Sequence, residues 1–162
     1  MKWHELNIDA AILSAITEVF QFHDLTPVQE HSIPLFLTCK DVAVEAVTGS
    51  GEINLILRYN VYFTYQPLRL ETCHIHLNHH FLSISGKTLA FVVPMLNKIL
   101  KSGAALKDNK ILGIIISPTQ ELALQTDDVV KRFSTHISQI KTCVFVGGKL
   151  NYIALYIVKL CE

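Results

Sequence analysis

Ala46-Val47-Thr48-Gly49-Ser50-Gly51 and, thirty-five positions after Gly51, Gly86-Lys87-Thr88-Leu89-Ala90-Phe91 are two pieces of one pattern. Joined from Gly51 to Lys87 they spell AVTGSGKTLAF, a loop of the G-x-x-x-x-G-K-[ST] type. Such a loop binds a nucleotide because consecutive backbone N–H groups curl around the phosphates, while Lys neutralises their charge and Thr holds Mg²⁺. The mechanism needs Gly, Lys and Thr to be neighbours, and here the chain leaves after Gly51 and resumes at Gly86.

The flanks set the fold. Upstream, residues 41–47 read as a strand running into the glycine turn, and downstream 87–101 read as a helix broken near Pro94. Residues 111–117 are a continuous apolar run, the pattern of a strand buried on both faces. Pro118-Thr119 opens a further helix to about 133, and 142–146 read as a strand ending at Gly147-Gly148. Strand, helix, strand, helix, strand is the order of a parallel α/β sheet flanked by helices. Nearer the N-terminus, Asp9 suits the N-cap of a helix over 10–21, with Ile8 and Leu13 placed for a hydrophobic staple. Thr26-Pro27-Val28-Gln29 starts another helix to about 37, with a cap, Pro at the first position and a capping-box Gln.

With 162 residues the expectation is one domain, and half the residues are apolar, which is ample for a core. The formal charge is zero, so any nucleic acid would be held by a local patch and not by the whole molecule's field. Four cysteines without a C-x-x-C pair look like scattered intracellular thiols. The N-terminus lacks a signal-peptide layout, and no apolar run has the length of a membrane span.

Residues 52–85 fit none of this and read as an irregular insertion, apolar and aromatic in the first half despite partial strand-like alternation. Long loops in compact domains are uncommon and usually polar. The second half holds Cys73, His74, His76, His79 and His80, whose spacing matches no usual zinc pattern.

These flanks resemble the N-terminal RecA-like domain of DEAD-box ATP-dependent RNA helicases. Trp3, Phe22 and Leu25-Thr26-Pro27-Val28-Gln29 match the Q motif and its upstream aromatic residue. Residues 46–51 with Lys87-Thr88 match motif I, Pro118-Thr119-Gln120-Glu121-Leu122-Ala123 matches motif Ia, and Gly147-Gly148 matches the GG motif. The resemblance covers 3–51 and 86–149, and its wording is similar to the branch acting in large-ribosomal-subunit assembly, which implies a pre-ribosomal or ribosomal RNA partner and a nuclear or nucleolar place. It implies ATP bound through Phe22, Thr26, Gln29, Thr48, Gly49, Ser50, Gly51, Gly86, Lys87 and Thr88, with Mg²⁺ on Thr88. It also implies an RNA backbone along Pro118, Thr119, Gln120, Gly147 and Gly148, with no DNA or membrane partner. Gln29 would read adenine, since an amide donates and accepts at once; it also closes a capping box, and Lys87 and Thr88 also suit an ordinary helix start. Gln120 stands where the family usually has Arg, which removes one phosphate contact.

No D-E-A-D or S-A-T sequence is present, so the catalytic carboxylates are missing and hydrolysis by this chain is not expected. Gly51-Glu52 can be spelled GGT-GAG and Gly148-Lys149-Leu150 GGT-AAG-TTG, each containing the start of an intron. On that spelling 52–86 and 149–162 are intron text read in frame, and 149–162 is a tail unrelated to the family. Two other classes compete: a P-loop enzyme such as a small-molecule kinase, and a non-enzymatic interaction module that binds a partner through the insertion.

Overall fold

The computed structural model describes residues 1–38, 56–64, 70–78, 86–101, 111–117, 120–146 and 154–160. In chain order these are a short 3₁₀ turn Trp3–Glu5, helices α1 (Ala10–Glu18) and α2 (Pro27–Leu37), strands β1 (Ile56–Thr64) and β2 (Leu70–Asn78), and helix α3 (Gly86–Lys101). They continue with β3 (Ile111–Ser117), α4 (Gln120–Ser134), β4 (Ile140–Val146) and β5 (Ala154–Leu160). The expected strand over 41–47 lies outside the described residues.

Both N-terminal helices start where their caps dictate. Asp9 accepts the Ala11 N–H at 2.9 Å, and Ile8 and Leu13 both pack against the core. Helix α1 ends earlier than the expected 21, because the backbone turns left-handed at Gln21, φ 56°. α2 opens on Thr26 with Gln29 Oε1 accepting the Thr26 N–H at 2.8 Å, the reciprocal capping box.

Helix α3 is the centre of the molecule. From Leu89 to Leu96 every residue is buried, so it is apolar all round and touches α1, α2, α4 and β3. The break expected at Pro94 does not occur, and the helix runs through it. Proline forfeits one backbone hydrogen bond, but packing on every side of this helix holds its axis. Where α3 crosses β3 the strand carries Gly113; a Cβ there would lie 3.1 Å from Met95 Sδ.

The strands form a five-stranded sheet in the order β2-β1-β3-β5-β4. Among the described residues all four strand pairings are antiparallel, which corrects the parallel sheet expected from the element order. The reason is where the new strands come from. β1 and β2 fall within the 52–85 segment expected to be irregular and pair antiparallel, and β5 lies in the tail. β3 and β4 each run antiparallel to β5, so they point the same way, the sense of a βαβ unit with β5 between them.

Register fixes which face the helices cover. Gly113, Val158 and Thr142 stand in one row. α3 reaches that row at Gly113 and α4 reaches it at Thr142, so both lie over one face. On the opposite face of β4, Lys141, Cys143 and Phe145 are exposed.

Candidate nucleotide and RNA site

The residues expected to contact ATP come from two ends of the chain, and the structure packs the elements that carry them together. α2 begins at the Thr26–Gln29 box and lies directly against α3, which begins at Gly86 with Lys87 and Thr88 in its first turn. A helix N-terminus leaves backbone N–H groups unpaired and carries partial positive charge, so the start of α3 is suited to phosphate. Thr88 is half-buried there. Gln29 is buried, with its carbonyl oxygen already accepting the Thr26 N–H. A carbonyl oxygen keeps a second lone pair, so the cap and a contact to a base are compatible. Phe22 is half-buried, its ring stacked on Phe20 at 6.1 Å between centroids. Thr48, Gly49, Ser50 and Gly51, the other half of the cradle, lie outside the described residues.

Two ties anchor the N-terminal segment. The Asp9 N–H donates to Asn97 Oδ1 at 2.8 Å, and Lys101 Nζ donates to the Asn7 carbonyl at 2.9 Å, fixing the N-terminal segment to the last turns of α3. The Leu25 N–H donates to the Met1 carbonyl at 3.3 Å, and Lys2 bridges Asp24, holding the stretch that leads into α2.

Of the residues expected along RNA, Gln120 is exposed at the first position of α4, while Pro118, Thr119, Gly147 and Gly148 lie outside the described residues. α4 and β4 run in opposite directions. Gln120 and Val146, the residues adjoining the two motifs, therefore lie at the same end of this pair.

Sequence reasoning passed over a buried carboxylate on α4. Asp127 is 7% exposed, its Oδ1 accepts the Thr142 hydroxyl at 3.1 Å, and its Oδ2 lies 2.6 Å from Lys131 Nζ. The hydrogen bond to Asp127, and then its charge, raises the Lys131 pKa above the usual lysine value. The available signal was spacing, because Asp127 falls four after Ala123 and three before Val130, on the apolar stripe. Cys73, His74 and His76 fall within β2. His79 and His80 lie outside the described residues. Among the described residues no three metal-ligating side chains converge.

Helices α2 and α3, the first opened by a capping box and the second by Gly86-Lys87-Thr88, pack within an α/β chain. Comparison gives the family: the DEAD/DEAH box helicase profile matches residues 84–156. The chain is similar to the ATP-dependent RNA helicase DDX55 of Mus musculus, 35% identical over 149 residues, covering 91% of this chain and 19% of that protein. It is 36% identical over 150 residues to the protein of the same name in Homo sapiens, again 91% and 19%. Against DEAD-box ATP-dependent RNA helicase 18 of Oryza sativa subsp. japonica it is 35% identical over 127 residues, 78% of this chain and 14% of that one. The chain therefore belongs to the DEAD-box RNA helicase family, and spans about a fifth of the length of the DDX55 relatives, 19%. Membership implies the RecA-like α/β fold, on which the antiparallel neighbours of β3 are a departure. Among solved structures, a herpesvirus 6B capsid and tegument complex shares only a TM-score of 0.27 at 10% identity over 75% of this chain and 38% of that one, too little to speak to the fold.

Proposed function

We propose that this chain is a nucleotide- and RNA-binding segment of a DEAD-box ATP-dependent RNA helicase, with an interrupted phosphate cradle and no capacity to hydrolyse ATP or unwind RNA alone. The observation that supports the reading is the packing of α2, which opens on the Thr26–Gln29 box, against α3, which opens on Gly86-Lys87-Thr88. In the assembled site Gln29 orients adenine, Phe22 flanks the ring, Thr26 supports Gln29, Lys87 neutralises the outer phosphates and Thr88 holds Mg²⁺. Gly86 and the 48–51 glycine turn supply the backbone around the phosphates. Bound Mg·ATP would supply the phosphoryl group for hydrolysis; the carboxylates needed to activate water are absent from the sequence.

Pro118, Thr119, Gln120, Gly147 and Gly148 line a single RNA strand through its backbone, a mode that positions without reading sequence. The domain reading is 1–51 and 86–148 as family-like text, 52–85 as insertion and 149–162 as tail. The wording around the motifs, similar to the large-ribosomal-subunit assembly branch, is the ground for a ribosomal or pre-ribosomal RNA partner and a nuclear or nucleolar place. No helix among the described residues is long and apolar enough to cross a membrane.

The interruption decides the affinity. A phosphate nest needs Gly51 and Lys87 one peptide apart, about 3.8 Å between Cα atoms. Calorimetric titration of the whole chain with Mg·ATP is expected to show weak or no binding. Saturable binding at low-micromolar affinity would overturn the interrupted-cradle reading.

A further inference from the structure

We infer that Asp127 is a positioning residue for RNA binding that sets the stagger of α4 on β4, the elements adjoining the two RNA motifs in sequence, an inference that rests on the RNA reading above. Asp127 is the one carboxylate among the buried side chains of the described residues. It joins α4 to β4 by accepting the Thr142 hydroxyl at 3.1 Å, while Lys131 one turn along holds its second oxygen at 2.6 Å. α4 carries motif Ia at its N-terminal end and β4 carries the GG motif after its C-terminal end. Measured from the Asp127–Thr142 contact, Gln120 lies about 10 Å up the helix and Val146 about 13 Å along the strand, toward the same end. A helix resting on a strand by apolar contacts alone can slide, because such contacts are non-directional. The hydroxyl–carboxylate bond fixes one relative position. Lys131 is exposed, so its ion pair is screened by solvent and the positioning falls to the bond with Thr142.

Binding sites need their groups held to within about 0.5 Å, so losing this bond should weaken RNA binding even in a folded chain. The test is fluorescence anisotropy of a labelled ten-nucleotide oligouridylate with the full chain, at a temperature where circular dichroism shows every variant folded. Thr142→Val, which keeps the shape and removes the hydroxyl, is expected to weaken binding about tenfold. Thr142→Ser, which restores the hydroxyl, is expected to bind like the wild type. The slope of affinity against salt should stay unchanged in Thr142→Val, because no phosphate contact is removed. A folded Thr142→Val that binds as tightly as the wild type, or that binds with a flatter salt slope, overturns the inference alone. A wild-type chain that leaves the probe's anisotropy flat removes the RNA reading and this inference with it.

Discussion

At the scale of single residues, Gln29 carries two duties that one substitution can separate. Its carbonyl oxygen holds the Thr26 N–H at 2.8 Å, the structural duty, while the proposed reading of adenine also needs the amide's N–H donors. Glutamate at this position of a capping box accepts the same N–H but donates nothing when ionised. Gln29→Glu should therefore melt within about 0.5 kcal/mol of the parent, whereas Gln29→Ala should lose about 1 kcal/mol with the cap. In a chain whose phosphate loop has been rejoined, both variants should lose ATP affinity. Equal ATP binding by parent and Gln29→Glu would reduce Gln29 to its cap. The cap was legible in the sequence because Thr, Pro and Gln stand at fixed offsets and act locally. Asp127 was not, because its partner Thr142 lies fifteen positions away and only the fold brings them together.

At the scale of elements, local rules placed the starts of α1 and α2, and the apolar run of 111–117 gave β3 its bounds. Two expectations failed for the same physical reason, that tertiary surroundings outvote local preference. Pro94 does not break α3 because that helix is buried all round, and the 52–85 segment forms paired strands because β3 offers it a ladder. The sheet's pairing sense was illegible, since element order says nothing about which strand an insertion will pair with. Element scale also governs a pH effect. Asp127 holds Lys131 protonated above its ordinary 10.5, so the folded value exceeds the unfolded one. The stability this contributes is whole below the unfolded value and drains away as pH rises through the raised folded value. Thermal melts taken from pH 9 upward should fall more steeply for the parent than for Lys131→Gln, starting near 10.5. Parallel curves would show that the α4 pair contributes nothing to that fall.

At the scale of the whole molecule, the question is what the inserted hairpin does to the cradle. Ile56 pairs with Asn78, so the described ends of β1 and β2 lie about 5 Å apart across an antiparallel pair. A hairpin closed at that pair still leaves Gly51 and Lys87 without the peptide bond that a continuous nest requires. Removing residues 52–86 joins Gly51 to Lys87 and restores the contiguous loop text. Two effects then oppose each other. The deletion forfeits β1, with its ladder of four registered pairs on β3, from Asn60↔Ile116 to Phe63↔Gly113. It also abolishes the closure of a loop of this length, worth on the order of 3 kcal/mol, and frees the β3 edge for the strand expected over 41–47. That strand would bury the edge with text whose helix and turn already match it, so the balance favours the shortened chain. The shortened chain is expected to melt higher than the parent and to bind Mg·ATP where the parent does not. A deletion variant that melts cooperatively and still gives no calorimetric signal with Mg·ATP would show that the flanks, whole or divided, never formed a nucleotide cradle. A variant that loses its melting transition would show instead that the hairpin has become part of the fold that the flanks depend on.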